Sequence, residues 1–161
     1  MALRGLLRAE RSEPMQQKEK KNSIKLEFLV AKHDFSRAGE ASSNIKKILR
    51  QLGVDSQTIR KVSIATYEAE MNIAIHSEGG KLTVWICPSH IKIIAEDKGP
   101  GIEDIDLAMQ EGYSTAPNQV RELGFGAGMG LPNIKRYCDK FTIQSKKGEP
   151  TILDMLIYTN S

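Results

Sequence analysis

The chain has 161 residues, 40% hydrophobic and 27% charged, the size and make-up of one soluble globular domain with room for a buried core. Its net charge of +3 resides entirely in residues 1–22, which hold six basic and three acidic side chains, while the remainder carries seventeen of each sign. No broad basic face, and so no nucleic-acid binding, is expected, and no apolar run approaches the roughly 18 residues of a membrane span.

Residues 1–22 read as a polar, disordered tail in front of one domain over 23–161. The start, Met1 to Arg8, is too short and too interrupted by charge for a signal peptide, and Met15 is a second candidate start. Ile24–Val30 alternates and predicts a strand. From Phe35 the period lengthens: Ala38, Ala41, Ile45, Ile48 and Leu52 form the stripe of an amphipathic helix. Gly53 suits a left-handed C-cap. Asp55 offers an N-cap oxygen to a second helix, Ser56–His76, with Ile59, Val62, Ala65, Ala69 and Ile73 inward.

Gly79-Gly80 leads into a strand at Leu82–Ile86, and Pro88-Ser-His90 turns it back into Ile91–Ala95, a hairpin. Asp104–Glu111 predicts a short helix. Residues 112–129 hold four glycines and a proline and read as a long functional loop. Pro132 fits the first turn of a helix that runs to about Cys138. Phe141–Ser145 and Ile152–Ile157 predict two closing strands. The order implies an α+β two-layer sandwich, a mixed, mostly antiparallel sheet covered on one face by helices.

Three glycine- and acid-bearing boxes follow one another. In Glu68-Ala-Glu-Met-Asn72 the first and last residues share a helix face, one turn apart. A carboxylate can accept a proton from a hydroxyl or water, and an amide oxygen can serve Mg²⁺, which needs one or two protein oxygens beside phosphates and waters. Solvated polar residues on a half-exposed helix would show the same pattern. Glu70 falls on the opposite side and is expected at the surface. In Asp97-Lys-Gly99-Pro-Gly101 an aspartate ends an apolar strand, placed to accept from an exocyclic amine; the glycines allow positive φ and close approach. A plain Asp-x-Gly turn is the alternative. Gly124, Gly126, Gly128 and Gly130 precede a helix start that can face phosphate. No strand leads into them, and Gly-Lys-Ser/Thr is missing, so neither a Rossmann fingerprint nor a P-loop fits.

Together these boxes resemble the N, G1 and G2 boxes of the Bergerat-fold, or GHKL, ATPases. Asp97 to Thr115 and Gly126 to Lys135 are similar to the small bacterial anti-sigma factors and serine/threonine switch kinases of stress-response partner-switching modules. The resemblance spans Ile24 to Tyr158. It implies ATP and Mg²⁺ as cofactors, Glu68 as general base and Asn72 as metal ligand. It also implies a base pocket of Asp97, Gly99, Gly101, Ile102 and Thr151, and an ATP lid and phosphate contacts from Gly126, Ala127, Gly128, Met129, Gly130 and Leu131, with Tyr113, Ser114 and Thr115 in the lid. Where relatives carry Gly-x-Gly-Thr, this chain reads Gly148-Glu-Pro-Thr151. The implied activity is a cytoplasmic serine/threonine kinase acting on a STAS-domain anti-sigma antagonist; the alternative is a nucleotide-gated anti-sigma factor that sequesters a sigma subunit. A homodimer is compatible with either.

A histidine-kinase catalytic domain would need a phosphoacceptor on a helical hairpin, and only His33, His76 and His90 exist. His76 ends the second helix and reads as a capping or packing residue. An Hsp90-like clamp would need a transducer domain to couple hydrolysis to motion, and none is expected after this domain. Cys87 and Cys138 have no metal-ligand spacing and read as small apolar residues of a reducing cytoplasm.

Overall fold

The computed structural model describes residue 15 and residues 22–112 and 130–160. The expected tail (save Met15 and Asn22) lies outside these residues, as do Tyr113, Ser114, Thr115, Gly124, Gly126, Ala127, Gly128 and Met129.

Alternation and helical period place the elements in the expected order. They are β1 (Ile24–Val30), α1 (Glu40–Gln51), α2 (Ser56–His76), β2 (Gly80–Ile86), β3 (His90–Asp97), α3 (Ile105–Ala108), α4 (Gly130–Tyr137), β4 (Lys140–Gln144) and β5 (Ile152–Tyr158). The five strands form one sheet in the order β1-β2-β3-β5-β4. Every described pairing is antiparallel, in keeping with the mostly antiparallel sheet expected of the two-layer sandwich. β2 and β3, joined by residues 87–89, pair directly as the expected hairpin, so no crossover helix is needed between them.

Helix α2 lies across the sheet, with α1 on one flank and α4 on the other. Its inward Ile59, Val62, Ala65, Ala69 and Ile73 meet Leu82 and Val84 of β2, Ile91 and Ile93 of β3, and Leu153, Met155 and Ile157 of β5 in one core. Each large aliphatic side chain buried there contributes about 1.5–3 kcal/mol relative to exposure. Asp55 caps α2 as its type suggests: Oδ2 accepts from Thr58 N at 2.9 Å and Oδ1 from Thr58 Oγ1 at 2.6 Å. Gly53 takes the left-handed conformation that ends α1, with φ +75°.

Helix α1 departs from its sequence stripe. It starts at Glu40 behind Gly39, whose φ is +90°; Ala38 instead joins Phe35, Met71 and Ile75 in a small separate cluster. Leu49 is fully buried, whereas Leu52, expected inward, is 47% exposed at the C-cap. Ile48 keeps its expected place, partly buried against the core, and only Leu52, beyond the last helical residue, leaves the packed face.

Glu70 is the main correction. Expected at the surface, it is 4% exposed. Its Oε1 accepts from Gly39 N at 2.9 Å and its Oε2 from Ala41 N at 3.0 Å. Gly39 has no side chain with which to cap α1, so a carboxylate from the neighbouring helix does it. Burial raises the Glu70 pKa above its ordinary value, and the Ala41 and Gly39 N–H groups pull it partly back. Glu70→Ala orphans two donors and should cost about 1–3 kcal/mol in urea unfolding. An unchanged midpoint would show that the clamp carries no stability.

Candidate active site

The first two boxes are joined through the backbone where α2 ends. Glu78 N donates to Gly99 O at 3.0 Å, Lys98 N donates to Gly79 O at 2.9 Å, and Gly79 N donates to Ser77 Oγ at 3.1 Å. The turn Asp97–Gly101 is thereby fastened to the exit of the helix that carries Glu68 and Asn72.

Asp97 is buried at the end of β3. Its Oδ1 accepts from Gly99 N and Thr151 N, both at 2.8 Å, and its own N donates to Thr151 O at 3.0 Å. Oδ2 keeps its acceptor capacity, since an ionised carboxylate has two oxygens with about four lone-pair sites. Thr151 is buried and shares a 2.6 Å bond with Ser145 Oγ, which in turn accepts from Ile102 N at 2.7 Å. The Glu149-Pro150 pair therefore leaves Thr151 bonded to both Asp97 and Ser145. Ser145 was absent from the candidates, because a serine at a strand end carries no local signal.

Gly99 and Gly101 have φ of +97° and +87°. A Cβ on Gly101 would overlap the Lys146 carbonyl oxygen and lie 2.7 Å from that of Glu149. Gly101→Ala combines overpacking with a left-handed penalty and should cost on the order of 3 kcal/mol. Thermal unfolding tests this; a shift worth less than about 1 kcal/mol would mean the 145–150 turn can simply move away.

On the α4 side of α2, Glu68 is half-buried. Asn133 Nδ2 donates to its Oε1 at 3.3 Å. A Cβ on Gly130 would stand 3.2 Å from its Oε2, so the first turn of α4 lies against the carboxylate. Burial raises the Glu68 pKa, and the Asn133 bond lowers it partly. Asn133, one turn after Gly130, is a second residue that the sequence did not single out. Asn72, half-buried, lies one turn along α2 from Glu68. Leu131 belongs to the core and Ile102 packs against it. The third box is placed only from Gly130 onward.

Among the described residues no cluster of three His, Cys, Asp or Glu side chains could hold a metal by itself. One amide oxygen is nonetheless the donor set that Mg²⁺ asks of a protein when a triphosphate supplies the rest, and Asn72 fits it. His33 lies in a connection, His90 begins β3, and His76 ends α2 half-buried, its pKa lowered by burial. Neither Cys87 nor Cys138 is in a disulfide, and burial pushes the Cys138 thiol up to about 12, which leaves it unreactive. No described helix is long and apolar enough to cross a membrane.

A cavity of about 800 Å³ opens on the other flank of α2, walled by Phe28, Val30, Arg37, Ala38, Glu70 and Ala74. It touches Asp97 but faces the Glu70 side of the helix, away from Glu68.

No family model matches the chain. It is 32% identical over 127 residues to the serine/threonine-protein kinase RsbT of Bacillus subtilis, covering 76% of this chain and 87% of that one. It is 31% identical over 145 residues to an anti-sigma F factor of Clostridium kluyveri, covering 87% and 96%. Among solved structures, the SiaB–SiaC complex of Pseudomonas aeruginosa contains a chain of the same fold, with a TM-score of 0.58, 16% identity and coverage of 86% and 91%.

Proposed function

The chain belongs to the anti-sigma-factor and serine/threonine switch-kinase branch of the Bergerat-fold ATPases, and from that membership we propose that it transfers the γ-phosphate of ATP to a serine or threonine of a STAS-domain protein. The observation that carries this reading is the half-buried Glu68 carboxylate, held by Asn133 against the first turn of α4 and one helical turn from Asn72. Asp97 Oδ2 accepts from the exocyclic amine of adenine, while Gly99, Gly101, Ile102 and Thr151 shape the base pocket. Asn72 would hold Mg²⁺, which neutralises charge on the phosphates.

The protein's own contribution to the step is positioning and one proton acceptor. The target hydroxyl approaches the γ-phosphorus from the Glu68 side. As the new P–O bond forms and the bond to ADP breaks, Glu68 takes the hydroxyl proton. The family resemblance assigns phosphate contacts to Gly126 to Leu131 and lid roles to Tyr113, Ser114 and Thr115; of these only Gly130 and Leu131 are among the described residues. The reaction draws on cytoplasmic ATP, and the protein acts there.

The test mixes the purified chain with γ-labelled Mg·ATP and an extract of its own organism, with Glu68→Ala as control. Label on a serine or threonine of a small STAS protein, lost in the variant, is the expected result. The second reading, a nucleotide-gated anti-sigma factor, is favoured by the likeness to an anti-sigma F factor along 96% of that relative. A sigma subunit that co-purifies while no protein is labelled would replace the kinase by that reading.

A further inference from the structure

The described helices crowd one side of the sheet: α2 touches β1, β2, β3 and β5, α4 touches β4, and α1 rests on α2. Side chains alternate along each strand, so the residues between the core positions point to the other face. They include Thr83 and Trp85 on β2, Lys92 and Ile94 on β3, Asp154 on β5 and Thr142 on β4. With no helix over them, these side chains would stand in water. Instead Lys92 is 7% exposed, Asp154 8%, Thr83 5% and Thr142 3%. Lys92 and Asp154 form an ion pair at 3.8 Å, and each has a further interaction beyond that pair. Buried charges of this kind need both cover and additional polar partners.

A second observation comes from the start of the chain. Met15 is half-buried, yet it is not among the described residues packed against either core cluster. The stretch from residue 1 to 21 enters β1 at the sheet edge, and an extended chain of that length reaches roughly 70 Å. Crossing five strands needs only about 20 Å. Residues 1–22 hold six basic and three acidic side chains, with Leu3, Leu6 and Leu7 at intervals of three and one. They offer apolar matter for Trp85 and Ile94, and charged partners of both signs for Lys92 and Asp154.

We propose that the face of the sheet that no described helix covers is a docking surface for the chain's own residues 1–21, with Met15 as one of its contacts. The segment is then an integral layer of the domain rather than a free tail. Removing it bares a face with Trp85 and Ile94 at its middle, and such a patch invites a second copy or another protein. The surface lies across the sheet from the phosphoryl-transfer site, and its existence does not depend on that activity.

Trp85 is the sole tryptophan and reports on this face directly. Acrylamide quenching and emission maxima would be compared for the full chain, for a chain beginning at Asn22 behind an initiator methionine, and for full-length Met15→Asp, each at two concentrations. Circular dichroism and sedimentation velocity would accompany them. Loss of the segment should raise the quenching constant about twofold or more, with a red shift, and Met15→Asp should move both in the same direction with unchanged helicity. If the shortened chain does not fold, Met15→Asp decides. Equal quenching in every folded form overturns the proposal. Quenching of the full chain that rises on dilution, as a sedimenting dimer dissociates, also overturns it and assigns the cover to a second copy.

Discussion

Glu68→Ala should lower phosphoryl transfer by about 10²–10⁴-fold while ATP affinity stays nearly unchanged, because only the proton acceptor is lost. Single-turnover transfer to the STAS partner and calorimetric titration with a non-hydrolysable ATP analogue separate the two quantities. Retained transfer would remove Glu68 from the role of base. The pH dependence follows from the environment. Burial lifts the Glu68 pKa above 4.5, and the base works only when ionised, so the transfer rate should climb as pH rises through that raised value. Stability runs the other way. The fold favours the protonated carboxyl, so the Glu68 contribution is fully present below 4.5 and is lost as pH rises through the raised pKa. Glu68→Gln should therefore flatten that loss and be the more stable protein at neutral pH, even as it is inactive.

Asp97→Asn should weaken ATP binding by about 10–100-fold with little effect on folding. The remaining amide oxygen can still accept from Gly99 N and Thr151 N, as Asp97 Oδ1 does at 2.8 Å. The new NH₂ group then faces the adenine amine, donor against donor, while the carbonyl of guanine would be acceptable. The ratio of ATP to GTP affinity should consequently fall, and an unchanged ratio would show that Asp97 does not read the base. Asp97→Ala is a different experiment. It orphans two buried N–H groups and should cost about 1–3 kcal/mol for each in unfolding.

These two residues were legible in the sequence because helical spacing and a strand end are local facts. Glu68 and Asn72 are one turn apart in any helix, and Asp97 follows an alternating apolar run whatever the strand pairs with. Their partners were not legible. Asn133 reaches Glu68 from a helix that begins after the long loop, and Thr151 reaches Asp97 from the residue that leads into β5, a neighbour of β3 in the sheet but distant in the chain. Hydrogen bonds between such distant positions leave no periodic trace in either segment.

Local chemistry by itself determined the element order, the inward faces of α2 and of the strands, and the Asp55 and Gly53 caps. Each follows from the 3.6- or two-residue repeat, or from the special backbone freedom of glycine and the short reach of aspartate. The tertiary structure decided what each face meets. A helical repeat says that Glu70 lies away from Glu68, but not that α1 packs there with an uncapped N-terminus, which turns an expected surface carboxylate into a buried clamp at Gly39 and Ala41. The same packing set the start of α1 at Glu40 and drew Leu49 inward in place of Leu52. Periodicity is a property of one segment, whereas burial and hydrogen bonding are shared between two, and only the folded chain brings the second one into contact.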